Sequence, residues 1–269
     1  MTQHASSTAD RAVILRTHRD GDLQRIAEPD VQAVIYEPES LPPWLWTLAA
    51  AVESGALVVP RSVLPCATLD EIAGWLAALP EDGLAPDVRD ALFDDILGLA
   101  GRLGASTGAQ QFMVRIFTAA PTTECGFHVD TVPRHAPPWG LLRVYNGEGT
   151  AFVEPDNVRS VAEFYKYLSR RERLERERRA ARDEGDAATC GRLDAEIAAL
   201  DRYPSFLERA AEIWVVPAGA VVAFKHIDVG LHWTPHAKAK AWIHCSPMAG
   251  APRLVVNVTC PVPVRARTR

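Results

Sequence analysis

The hydrophobic period of this chain changes at Gln111, and that change limits the folds open to it. Upstream, Val88, Leu92, Ile96, Leu99 and Leu103 recur every three or four residues, the spacing of an amphipathic helix. Downstream, Phe112-Met113-Val114-Arg115-Ile116-Phe117 is an apolar, β-favouring run. Further short runs follow at Leu141 to Tyr145, Thr150 to Val153, Glu212 to Pro217, Gly219 to Lys225, Ala241 to His244 and Arg253 to Val258. Turn residues separate them, Asn146-Gly147 being the strongest signal. About eight short strands joined by turns predict antiparallel sheets closed into a double-sheet jelly roll or small barrel.

The segment 11–105 reads as a mainly helical N-terminal layer with a few strands. Arg11 to Arg16 and Val31 to Tyr36 have strand character, and Asp20 to Ile26 suggests a brief helix. Pro42 and Pro43 suit the first turn of a helix through Ser54, and Leu57 to Pro60 is a short extended piece. Thr68 and Glu71 have the spacing of a capping box for a helix to Ala78. Residues 1–10 are small and polar and predict a disordered tail. The β core is expected over 106–157 and 212–265, making 11–269 one α+β domain. Between the two halves, 158–211 reads as an inserted charged helical hairpin, with Glu172–Arg176 and Glu175–Arg179 as i,i+4 pairs. It suits a solvated face, a lid, or a homodimer contact.

A 269-residue chain, 48% hydrophobic and 23% charged, can bury a substantial core. A net charge of −5 gives no general attraction to nucleic acid or anionic lipid, so the expected partner is a small molecule. The five cysteines, Cys66, Cys125, Cys190, Cys245 and Cys260, are widely spaced and form no Cys-x-x-Cys. They suggest neither a disulfide framework nor a zinc knuckle, and a reducing cytoplasm fits best. No apolar leader or membrane-length run is present in the sequence.

The chemistry centres on Cys125-Gly126-Phe127-His128-Val129-Asp130. In an extended segment residues i and i+2 face the same way, so His128 and Asp130 can offer an imidazole and a carboxylate to one point. His244 ends a later β-like run and is the candidate third ligand. Two histidines and one carboxylate form a facial triad that leaves metal positions open for a chelating cosubstrate and dioxygen. Arg253, opening the next strand, offers a guanidinium fork for a carboxylate. Lys225, closing an apolar strand, is a second carboxylate partner, because a buried cation without an anion is costly. Tyr145 is a further cosubstrate candidate. Arg143, Arg115, His226, His232 and His236 are candidates for the pocket or its rim, and Cys125 and Cys245 flank two proposed ligands.

On His128-x-Asp130, the distal His244 and Arg253, the sequence resembles the iron(II)/2-oxoglutarate-dependent oxygenases of the double-stranded β-helix, cupin-like superfamily, over 112–260 without the insert. That resemblance implies a jelly-roll core, Fe(II) as metal, 2-oxoglutarate as cosubstrate and oxidation of a small polar substrate such as an amino acid or metabolite. Such enzymes often carry Arg-x-Ser or Arg-x-Thr after the distal histidine, and here Val255 takes the serine position. The chain also resembles the bacterial domain-of-unknown-function family numbered 1826. That likeness rests on Ile26 to Val31, Cys125 to Val132, Leu141 to Thr150, His244 to Pro247 and Pro252 to Leu254. Two alternatives stay open: a Zn(II) protein of metal homeostasis without redox chemistry, and a cupin-like iron dioxygenase that uses no 2-oxo acid.

Overall fold

The computed structural model describes residues 12–79, 83–121, 125–134 and 136–261; the expected tail at 1–10 and the end of the expected core at 262–265 lie outside them. The architecture is α/β around a large sheet. Its seven strands are β1 (Val13–Thr17), β2 (Val31–Tyr36), β3 (Ser62–Ala67), β4 (Phe112–Ala119), β6 (Trp139–Val144), β9 (Val221–Lys225) and β12 (Arg253–Thr259). They lie in the order β1-β2-β9-β6-β12-β4-β3, and only the β1–β2 pair is parallel. Strands β1 to β3 therefore complete both edges of the sheet, and residues 11–105 are not a layer separate from the β core.

Helices α1 (Pro43–Glu53), α2 (Leu69–Ala77) and α3 (Pro86–Thr107) cover one face of this sheet. Helices α1 and α2 start where the sequence predicts. Proline occupies the first turns of α1 and α3, and Thr68 with Glu71 forms the capping box of α2. The buried side of α3 is Val88, Leu92, Ile96, Leu99, Ala100 and Leu103, packed against Leu254, Val256 and Val258 of β12.

The opposite face of the sheet supports a second, smaller unit. Three short strands, β7 (Ala151–Phe152), β8 (Trp214–Val215) and β11 (His244–Cys245), pair in the order β11-β7-β8, and β5 (Thr131–Val132) pairs with β10 (Ile227–Asp228). The chain crosses from the large sheet to the small one at Asn146–Gly147, where Gly147 takes φ 67°. Asn146 accepts from the Leu254 amide at 2.9 Å and donates to the Pro252 carbonyl at 2.9 Å, so this turn pins the start of β12. It joins two sheets rather than two neighbouring strands. Phe152, Phe224 and Trp242, all fully buried, fill the space between the sheets.

Helices α4 (Val161–Asp183) and α5 (Ala187–Arg202) pack on each other beside the small sheet. Their ion pairs differ from the expected ones: Arg171 pairs with Glu175 and Arg173 with Glu177. The reason is burial. Arg171 is only 6% exposed and turns inward to Asp201 of α5, which fixes the register of the charged rows.

One buried ion pair ties the helical layer to the sheet. Asp95 of α3 accepts from Arg143 of β6 and, at 2.7 Å, from the Tyr145 hydroxyl. Removing the carboxylate leaves a buried guanidinium and a buried phenol without their acceptor. Asp95→Ala should lower unfolding free energy by about 3–5 kcal/mol, read from chemical denaturation.

Candidate metal centre

The centre is built by backbone pairing. His128 and His244 form an antiparallel bridge: the His128 amide donates to the His244 carbonyl at 2.8 Å, and the His244 amide returns the bond at 3.0 Å. Residues bridged in this way carry side chains on the same side, and the two imidazole centroids lie 4.4 Å apart. Asp130, two residues beyond His128, projects to the same point. His128, Asp130 and His244 each offer one ligand atom, and these atoms all lie within 4.8 Å of one another, so the group can hold a metal ion.

The surrounding hydrogen bonds orient the rings for ligation. Nδ1 of His128 lies 2.9 Å from the Gly126 carbonyl, and Nδ1 of His244 lies 3.1 Å from the Trp242 carbonyl. A carbonyl only accepts, so each Nδ1 carries the hydrogen, and Nε2 is the nitrogen that a neutral ring offers toward the centre. This is the arrangement that fixes tautomer and ring direction in metal-binding histidines.

Electrostatics separates the two rings. Burial opposes the His128 imidazolium, but the Cys125 thiol, Asp130 and the Gly126 carbonyl outweigh it and raise His128 to about 9. Burial likewise opposes a Cys125 thiolate, but His128 and Ser246 bring Cys125 down to about 7. His244 falls to about 3 through burial and the neighbouring His128. Asp130 is pushed up by burial but held below the ordinary carboxylate range by His244, His128, His226 and Arg115. A metal would meet a neutral His244, an ionised Asp130 and a His128 that must give up its proton to ligate, with Cys125 Sγ 3.6 Å from His128 Nδ1.

The triad opens into a cavity of about 450 Å³. Its floor is the face of the large sheet: Arg115, Phe117 and Ala119 alternate along β4, and Arg253, Val255 and Asn257 alternate along β12. Leu142 and Phe224 add apolar wall, and Cys125, Cys245 and Ser246 close the side next to the histidines. Arg253 and Arg115 thus join the triad in one space. His226 sits behind it, with Nε2 3.9 Å from Asp130 Oδ2 and neither ring nitrogen hydrogen-bonded; burial drives it down to about 4.

Other expected pocket residues lie elsewhere. Leu142 faces the cavity, so by strand alternation Arg143 points to the opposite face, where it and Tyr145 meet Asp95. Alternation also turns Lys225 away from Phe224's side. Its Nζ donates to the carbonyls of Glu28 at 2.7 Å and Pro29 at 3.2 Å, and burial lowers it to about 8. The carbonyl oxygens supply the acceptors that a carboxylate was expected to provide. His236 meets the Tyr165 hydroxyl at 3.0 Å, and His232 packs edge-on to the same ring, outside the cavity.

The hairpin reaches the metal loop through a buried relay. Tyr167 donates to Asp201 at 2.6 Å, Arg171 donates to the same carboxylate at 3.0 Å, and the Phe127 amide donates to the Tyr167 hydroxyl at 3.1 Å. Residue 126 must be glycine here, because a Cβ at that position would lie within 2.7 Å of the Tyr167 hydroxyl. Gly126 is visible in the sequence, but the Tyr167 and Arg171 side chains that crowd it come from α4, distant along the chain.

Residues 17–258 match the family described as "Protein of unknown function (DUF1826)". The chain belongs to that family. No curated protein matches it. Among solved structures, a dioxygenase for auxin oxidation from rice is similar to this DUF1826 chain at 15% identity and a TM-score of 0.39, covering 94% of this chain and 84% of that one. The Kdo hydroxylase KdoO, a non-heme Fe(II) alphaketoglutarate-dependent dioxygenase solved with alphaketoglutarate and Fe(III), is similar at 10% identity and a TM-score of 0.44, covering 91% and 88%. The same hydroxylase in complex with cobalt(II) aligns at a TM-score of 0.43.

Two outcomes follow for metal binding, read by anaerobic Co(II) titration in visible absorption. Wild type should bind one ion per chain, and His244→Ala should lose saturable binding. Tyr167→Phe, which removes the hydroxyl that receives the Phe127 amide, should weaken affinity about tenfold, within the range for supporting partners of metal ligands.

Proposed function

We propose that this protein is a non-haem iron(II)/2-oxoglutarate-dependent oxygenase that hydroxylates or otherwise oxidises a small polar substrate. The observation that carries the reading is the company Arg253 keeps. It is 5% exposed, lines the same cavity as the triad, and makes one long hydrogen bond, 3.5 Å to the Glu148 carbonyl. No carboxylate partners it among the described residues. Burial lowers its pKa, with the Cys125 and Cys245 thiols working in the opposite direction. A buried guanidinium of this kind calls for an anion, and a carboxylate accepts its two parallel N–H groups.

In this reading His128, Asp130 and His244 hold iron, and Arg253 grips the distal carboxylate of the 2-oxo acid. Ferrous iron with a chelated 2-oxo acid supplies the oxidation of a substrate C–H bond by dioxygen. The chain's own contribution is placement. The Gly126 and Trp242 carbonyls orient the ligand rings, Leu142, Phe224 and Val255 keep the floor apolar, and Arg253 sets the direction of the cosubstrate. Thr150, which also lines the cavity, offers a hydroxyl where Val255 cannot.

A zinc protein without redox chemistry is the second reading. It is favoured by one observation, that Cys125 and Cys245 line the cavity beside the histidines. The two readings part in one assay. Release of carbon dioxide from 2-oxoglutarate should require added Fe(II) and vanish in His128→Ala. In Arg253→Met the 2-oxoglutarate KM should rise at least about tenfold, the cost of a lost charge-assisted pair. Release that needs no iron, or survives His128→Ala, would refute the oxygenase reading.

A further inference from the structure

The cavity has a second cationic end that the cosubstrate does not use. Arg115 of β4 is the cross-strand partner of Asn257, and Arg253 is the partner of Ala119. Four residues of β12 thus separate the two arginine ends, about 13 Å along a strand. Both arginines line the cavity that holds the triad.

Three features mark the Arg115 end as a binding surface. Arg115 forms no hydrogen bond or ion pair among the described residues, although it is half-buried. Asn257 is 7% exposed, lines the cavity, and has an Oδ1 with no donor. Exposed Arg61 lies over the ring of Phe117, 5.3 Å from its centroid, one step of strand alternation from Arg115 along β4, and brings a second guanidinium to the cavity. A buried amide oxygen without a partner is costly, and a half-buried guanidinium seeks an anion. A ligand carrying both an anionic group and an N–H or O–H donor satisfies the pair.

We propose that the substrate is a small organic acid bearing a hydroxyl or amino group, held by Arg115 and Arg61 through its carboxylate and by Asn257 through its donor. This rests on the oxygenase reading, which assigns Arg253 to the cosubstrate. The acid then lies along the apolar floor of Phe117 and Leu142, with its middle carbon atoms toward the triad.

The test uses the full chain loaded with Zn(II) and saturating 2-oxoglutarate, so that the Arg253 end is filled and no turnover occurs. Lactate, malate, serine, glutamate and gluconate are titrated calorimetrically, each beside its neutral amide. At least one acid should bind while its amide binds at least about tenfold more weakly, the worth of one charge-assisted hydrogen bond. Arg115→Met should weaken that acid by a similar factor, with Arg115→Lys recovering part of it. Arg61→Met, at an exposed position that folding tolerates, should weaken it about threefold, the smaller value of a solvated ion pair. Separate titration of 2-oxoglutarate into the Zn(II) protein distinguishes the two claims. If 2-oxoglutarate fails to bind, the oxygenase reading fails. If it binds but no acid does, if acid and amide bind alike, or if Arg115→Met and Arg61→Met leave the acid unaffected, the substrate proposal is overturned.

Discussion

The pair of backbone hydrogen bonds between His128 and His244 is the contact on which the rest of the site depends. Those bonds join two chain segments that have the charged hairpin between them, and they set both imidazoles on one side of the bridge. Once the bridge forms, Asp130 reaches the same point through the two-residue repeat of extended chain. The bridge also faces the large sheet, so the alternating residues of β4 and β12 become the floor of the cavity beside the triad.

The supporting structure surrounds this bridge from two directions. From the sheet, Asn146 holds the start of β12 and with it Arg253, while Asp95 anchors Arg143 and Tyr145 on the far face. From the hairpin, Asp201, Arg171 and Tyr167 form a buried relay ending on the Phe127 amide, next to His128. The hairpin therefore belongs to the site's framework. Its charged surface is ordinary solvated helix, but its inner face carries Arg171 and Arg178 at 6% exposure each. Helix-level charge pairing and metal-loop positioning are thus set by the same residues.

Much of this was legible in the sequence because it is local. The spacing of Val88 to Leu103 gives α3, Thr68 with Glu71 gives the cap of α2, and His128 with Asp130 shares a side by period two. What was not legible depends on which face of a strand meets which layer. Arg143, Tyr145 and Lys225 carry pocket-like chemistry, yet each projects to the side where helical or N-terminal segments supply its partner. Their parity relative to Leu142 and Phe224 decides the matter, and parity needs one known cavity residue as a reference. Asn257 and Arg61 were missed for a related reason. Neither carries a motif, and Asn257 gains significance only because its cross-strand neighbour is Arg115. The place of β1 in the sheet was hidden because β1 and β2 pair in parallel, a contact made without a hairpin signal, and that of β3 because its antiparallel partner β4 lies 45 residues on, beyond α2 and α3.

The central claim is that His128, Asp130 and His244 form an open ferrous centre beside an anion-binding arginine. Anaerobic addition of 2-oxoglutarate to the Fe(II)-loaded protein, followed in the visible spectrum, tests it most directly. A charge-transfer band that saturates at one cosubstrate per chain, absent in His128→Ala and shifted to higher 2-oxoglutarate concentration in Arg253→Met, is the predicted result. A protein that retains tightly bound zinc, takes up no Fe(II) and develops no band would contradict it.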